Sequence, residues 1–255
     1  MATATSTVKV LVLRAPGTNC DEETGFAFSA AGGHCDYVHI NRLIESPQLV
    51  NDYQILCLPG GFSYGDDIAA GRILASQMQS RLADVIAEFH AAGKLILGIC
   101  NGFQILIKSG FLLPPDDQGL TATLAWNDSG RFLDRWVQLK CNSKKCVFLK
   151  DVDRMYLPIA HAEGKFVARD AGVMESLIAA DQVAMTYELA DGEASPNGST
   201  ADLAGLCDST GRIFGLMPHP ERHIDPTHHP RWTREGLAKE GEGMAVFRNA
   251  IEYFA

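Results

Sequence analysis

The chain has 255 residues, 46% of them hydrophobic and 21% charged, and a formal net charge of −9. A chain this long removes roughly 75% of its unfolded surface from water, so a large core forms without help from disulfides or metals, and the ordinary composition excludes a disordered chain. The negative balance argues against non-specific binding to a phosphate backbone and leaves open a partner with a basic face.

Residues 8–13, VKVLVL, form a short apolar run ahead of Pro16 and Gly17, the pattern of a buried strand. Residues 21–31 are helical in pattern, with acidic residues in the first turn and Gly32 and Gly33 just beyond the end. Strands follow at 35–40 and 53–58, the second (YQILCL) stopping abruptly at Pro59, Gly60 and Gly61. From 71 to 90, Leu74, Met78, Leu82, Val85 and Phe89 recur at three- and four-residue steps and share one helical face, which Gly93 ends. Residues 94–99, KLILGI, are a fourth strand, and 102–107 open another helix. Strand and helix alternating through short connections predict a parallel sheet covered by helices on both faces.

The pattern changes after Pro114 and Pro115. Short alternating segments at 121–125, 135–140, 146–149 and 155–161 predict antiparallel strands. A helix at 173–180 follows, then strands at 183–189, 203–207 and 213–217 and a last helix at 243–254 with Met244, Phe247, Ile251 and Phe254 on one face. Residues 191–200 and 225–241 read as exposed loops. There is no internal repeat. The expectation is an α/β chain with an open, mostly parallel sheet and a small β-rich insertion, one domain over 8–255 behind a flexible stretch at 1–7.

Seven cysteines occur without any CxxC pair, which weakens zinc and thioredoxin-type readings and points to a reducing compartment with mostly inert thiols. Residues 1–7 lack a basic patch followed by an apolar stretch, and no apolar run approaches the ~20 residues of a membrane span. A cytoplasmic protein is expected.

Three stretches carry chemistry. Gly98-Ile99-Cys100-Asn101-Gly102 lies where a strand passes into a helix, the setting in which G-x-S-x-G forms a nucleophile elbow. There the helix dipole favours thiolate, and the Asn101 N–H is free to hold an oxyanion. A buried inert cysteine between two glycines is the bland alternative. Met217-Pro218-His219-Pro220-Glu221 follows another strand: a His able to move a proton, and a carboxylate two residues on to orient it. His219 and His223 are four apart, but Pro218 and Pro220 argue against a metalloprotease helix, and no metal is expected. The third is Leu58-Pro59-Gly60-Gly61-Phe62-Ser63-Tyr64-Gly65-Asp66, which has no lysine for a P-loop. It is a tight turn or a source of a second oxyanion donor, and we favour the donor.

GICNGFQ, LPGGFSYGD and PHPERH together resemble the class I (triad) glutamine amidotransferases. APGTNCDEET, WNDSGRF, IAHAEG, PNGSTADLAG and MPHPERH are similar to one branch, the glutaminase subunits of phosphoribosylformylglycinamidine synthases, over residues 8–254. The resemblance implies a flavodoxin-like fold, glutamine as substrate, Cys100 as nucleophile, His219 as acid/base and Glu221 as its orienting carboxylate. It implies oxyanion donors at Asn101 and at Gly61 or Phe62, and glutamine contacts from Gln104, Asn127, Ser129 and Phe132. It also implies a large synthetase subunit and a small bridging subunit as partners, the synthetase using ATP and magnesium, with no cofactor on this chain. One departure is Ala162, where the family often carries glycine. The rivals are a class I glutaminase serving another synthetase, a peptidase-like cysteine hydrolase or chaperone of this fold, and a binding subunit without turnover.

Overall fold

The structure, a computed structural model, describes residues 7–190 and 195–255. Residues 1–6 of the stretch expected to be flexible, and 191–194 of the first expected loop, lie outside the described residues. In chain order the elements are β1 (Lys9–Arg14), α1 (Asp21–Ala30), β2 (His34–His39), α2 (Ile40–Glu45), β3 (Ile55–Leu58), α3 (Arg72–Ala91), β4 (Leu95–Ile99) and α4 (Asn101–Lys108). There follow β5 (Ala122–Ala125), β6 (Leu133–Cys141), β7 (Arg154–His161), β8 (Lys165–Ala168), α5 (Ala171–Ala179), β9 (Val183–Tyr187), β10 (Leu203–Cys207), β11 (Ile213–Leu216), α6 (Trp232–Glu235) and α7 (Met244–Glu252).

One sheet runs through the chain in the order β2-β1-β3-β4-β11-β10-β9-β6-β7. Its first five strands are parallel, as the alternation of strand and helix predicts. Consecutive residues of β1, β3 and β4 are buried, so both faces of this half are covered. One helical layer joins α1 to α7 and the other joins α3 to α4. The β-rich segment extends the sheet: β11, β10, β9, β6 and β7 pair antiparallel in succession, and only β5 with β8 forms a separate two-stranded ribbon.

The strand expected at 146–149 is instead a 3-10 turn, Val147–Leu149. It meets α7 rather than a strand, and Asn249 Nδ2 donates to its Phe148 carbonyl at 3.1 Å. Helix α2 begins at Ile40, inside what read as strand, because the His39 ring accepts from the Asn41 N–H and caps it.

Candidate active site

Strands β4 and β11 are parallel neighbours in register, Leu216 opposite Ile99. Their carboxyl ends therefore deliver Cys100 and the 217–221 segment to one place, where open α/β sheets gather their sites. Cys100 N–H donates to the Leu216 carbonyl at 2.7 Å, fixing the elbow to the strand that carries His219.

Cys100 has φ 50° and ψ −101°, a strained conformation for a side-chain-bearing residue. The flanking glycines make it possible. A Cβ on Gly102 would lie 1.9 Å from the Leu58 carbonyl oxygen, and one on Gly98 would meet the Gly102 carbonyl oxygen at 2.7 Å. The turn sets the cysteine at the N-terminal end of α4, 5% exposed, with Sγ 3.7 Å from the Ala160 carbonyl oxygen.

His219 is 1% exposed and its Nδ1 is 2.5 Å from Glu221 Oε1. That contact leaves Nε2 for another partner, and Nε2 is buried without one. Burial alone would lower the proton affinity of the ring. Glu221 first, then the thiols of Cys100 and Cys20 beside it, outweigh burial and hold its pKa well above the usual value. The backbone of β7 anchors both halves: the Pro158 carbonyl accepts from His219 N–H at 2.9 Å, two residues before Ala160 faces the sulfur.

A cavity of about 230 Å³ opens beside the sulfur, lined in part by Gly61, Asp66, Gln104, Trp126 and Glu163. A larger groove of about 330 Å³, at Arg135, Trp136, Tyr156 and Tyr187, has no cysteine, serine or threonine in its lining. Among the described residues one grouping has metal-ligand chemistry, Cys20, His219 and Glu221, whose ligand atoms lie within 4.8 Å of one another. Arg222 Nη2 donates to Cys20 Sγ at 3.1 Å and its Nε lies 3.9 Å from Glu221 Oε1, so a guanidinium already supplies the positive charge there.

The profile of the CobB/CobQ-like glutamine amidotransferase domain matches residues 7–254. The chain is 47% identical to phosphoribosylformylglycinamidine synthase subunit PurQ of Dehalococcoides mccartyi, over 97% of this chain and 98% of the relative. It is 42% identical to the subunit of the same name from Methanococcus maripaludis, over 96% and 97%. A solved structure of PurLQS from Thermotoga maritima superposes with a TM-score of 0.75 at 31% identity, covering 98% of this chain and 100% of that chain. The chain belongs to the CobB/CobQ-like glutamine amidotransferase family.

Within this amidotransferase the residues singled out from sequence fall in two groups. Cys100, His219, Glu221, Asn101, Gly61 and Gln104 converge on the cavity or its nucleophile. Phe62 also lines the cavity, but of the two expected loop donors its N–H already donates to the Gly17 carbonyl at 2.9 Å, which leaves Gly61. Asn127 is also placed differently. Its Oδ1 accepts from Gly164 N–H and its Nδ2 donates to the Arg131 and His161 carbonyls, so the amide is consumed in shaping the 161–164 turn. Ser129 Oγ accepts from Arg131 N–H within an exposed turn, and Phe132 packs near Phe62 with ring centroids 6.4 Å apart. Gln104 is held at both ends of its amide, by Glu163 O at 2.5 Å and Asn101 Nδ2 at 2.9 Å. Ala162 needs no left-handed backbone, so the departure from glycine is accommodated.

Sequence reasoning did not single out Cys20 or Arg222. Both lie inside stretches that carry the family resemblance, APGTNCDEET and PHPERH, but nothing in those stretches marks their pairing. The second expected loop, 225–241, is partly tied down: His229 lies against Tyr156 with ring centroids 5.2 Å apart.

Proposed function

We propose that the chain is the glutaminase subunit of a phosphoribosylformylglycinamidine synthase, releasing ammonia from glutamine for a partner synthetase in purine biosynthesis. The observation that carries the catalytic assignment is Cys100 on its strained elbow beside His219, whose Nδ1 is taken by Glu221. The curated relatives' names support the synthase assignment.

Cys100 gives its proton to His219 Nε2, and the sulfur attacks the side-chain carbonyl of glutamine. The carbonyl electrons move to oxygen, which accepts hydrogen bonds from the N–H groups of Asn101 and Gly61. As the C–N bond breaks, His219 returns the proton to the leaving nitrogen and ammonia departs. The thioester left on Cys100 is hydrolysed by water, which His219 deprotonates, and glutamate leaves. Glu221 holds the ring through Nδ1 and stabilises the imidazolium.

We assign the ATP and magnesium chemistry to the large synthetase subunit, with a small bridging subunit completing the assembly and no cofactor on this chain. We place the protein in the cytoplasm, a reading supported by its seven unpaired thiols, which a reducing compartment preserves. Among the described residues no helix is long and apolar enough to cross a membrane.

The test is mass spectrometry after incubation with a diazo-ketone analogue of glutamine, in wild type and Cys100→Ala. One adduct, on Cys100, blocked by excess glutamine and absent from the variant, is expected, together with loss of glutamate release. An adduct elsewhere, or none with the synthetase subunits present, sinks the assignment.

A further inference from the structure

Beside the His219–Glu221 pair lies a small charged network that the proposed reaction does not use. Its centre is Arg222, the residue after Glu221. The guanidinium donates through Nε to Glu23 Oε1 at 3.0 Å and through Nη2 to Cys20 Sγ at 3.1 Å. The thiol of Cys20 donates in turn to Asn19 Oδ1 at 3.4 Å, so its sulfur is free to accept from the arginine. Cys20 is 1% exposed, and Cys20 N–H bonds the Gly60 carbonyl, which fixes the thiol beside the imidazole. Both anchors lie at the start of α1, about 200 residues away in sequence from the arginine they hold.

A cation fixed 3.9 Å from Glu221 Oε1 acts on the pair in two ways. It holds the carboxylate in one place, and it offsets part of the carboxylate's pull on the His219 proton. The other ionisable groups around the pair are Cys57 on β3, Cys100 at α4, His161 on β7, and Cys20 and Glu23 at α1. None of these supplies a permanent positive charge, so among the described residues it is Arg222 that opposes Glu221.

We infer that Arg222, braced by Cys20 and Glu23, is a positioning residue that sets the proton affinity of the Cys100–His219–Glu221 group. The inference rests on the catalytic reading of these three residues. Removing the cation makes the surroundings more negative, so every nearby proton is held more tightly and the pH at which Cys100 becomes nucleophilic rises.

The test follows alkylation of Cys100 by iodoacetamide against pH, read at the Cys100 peptide by mass spectrometry, in the full chain as wild type, Arg222→Gln and Arg222→Lys. The midpoint moves up by about half a unit to one unit in Arg222→Gln, a modest shift because the guanidinium is 37% exposed and partly screened. Arg222→Lys keeps the charge and restores the midpoint. A slower reaction at every pH, with the midpoint unmoved and the far-UV spectrum unchanged, overturns the inference. Alkylation needs no glutamine, so a moved midpoint in a chain that never hydrolyses glutamine would leave this inference standing and remove the proposed function alone.

Discussion

At His161, burial first and then the neighbouring His219 press the pKa down to about 4. The folded protein keeps this ring neutral where the unfolded chain, at the ordinary value of 6.5, takes a proton. Its contribution to stability is therefore complete above pH 6.5 and is lost as the pH falls toward 4. The slope in that window is about 1.4 kcal/mol per pH unit. Urea unfolding at a series of pH values should show this slope in wild type and a flatter line in His161→Gln. Equal slopes would mean that His161 is not the proton-linked group. His219 has the opposite sign, because its folded pKa is raised: its stabilisation is present in acid and fades as the pH rises through that value. The convergence of Cys100, His219 and Glu221 was legible in the sequence because each sits in a short motif at a strand's end, and adjacent strands bring such ends together. Asn127 was expected to contact substrate, but four backbone groups use up its amide or its N–H, an arrangement that no local sequence pattern marks. The Cys20–Arg222 contact was not legible at all, because nothing local marks a pairing across 202 positions.

At the level of elements, α4 is tied to the glycine-rich loop and to the turn after β7 by one buried ion pair. Lys108 and Glu163 are 3.5 Å apart with side chains only 7% and 10% exposed. Between them lies the Ala70 peptide group: its N–H donates to both Glu163 oxygens at 3.2 Å, and its carbonyl accepts from Lys108 at 2.5 Å. Lys108→Met strands the carboxylate in a dry environment and should cost about 3–5 kcal/mol. Lys108→Met combined with Glu163→Gln removes both charges and should cost clearly less, measured by thermal or urea unfolding. A single variant no more damaging than the double one would show that the pair contributes nothing. The strands before residue 113 were readable because apolar runs bounded by glycine or proline leave little choice of structure, whereas the short helix α2 was not, since its cap is the ring of His39. Of the later strands, β5, β6, β7, β9, β10 and β11 were readable as strands, while β8 was missed, and the sequence did not show that β6, β7, β9 and β10 extend the main sheet. Their membership depends on β11 pairing with β4 across more than a hundred residues, and no pattern within a single strand encodes that choice.

The whole molecule is knitted together by that same seam. The N-terminal and C-terminal thirds also meet in one helical layer, where Phe28 of α1 packs edge-on against Phe247 of α7 with ring centroids 4.9 Å apart. A sheet shared by both ends of the chain leaves no line along which one part could unfold alone. Cys57 on β3 and Cys146 near α7 are 0% and 1% exposed and should become reactive to a thiol reagent in the same urea range in which the far-UV signal is lost. Earlier labelling of Cys146 alone would reveal a separate unfolding unit. The outermost strand, β7, has a further consequence. A last strand normally presents a row of unpaired backbone groups, an invitation to strands from other chains. Here Pro158 has no N–H to offer, its carbonyl is taken by His219, the Tyr156 carbonyl is taken by the His223 ring, and the Tyr156 N–H by Glu242. The segment that carries His219 and His223 is thus also the guard rail of the sheet. Damage that loosened it would cost the protein its resistance to aggregation.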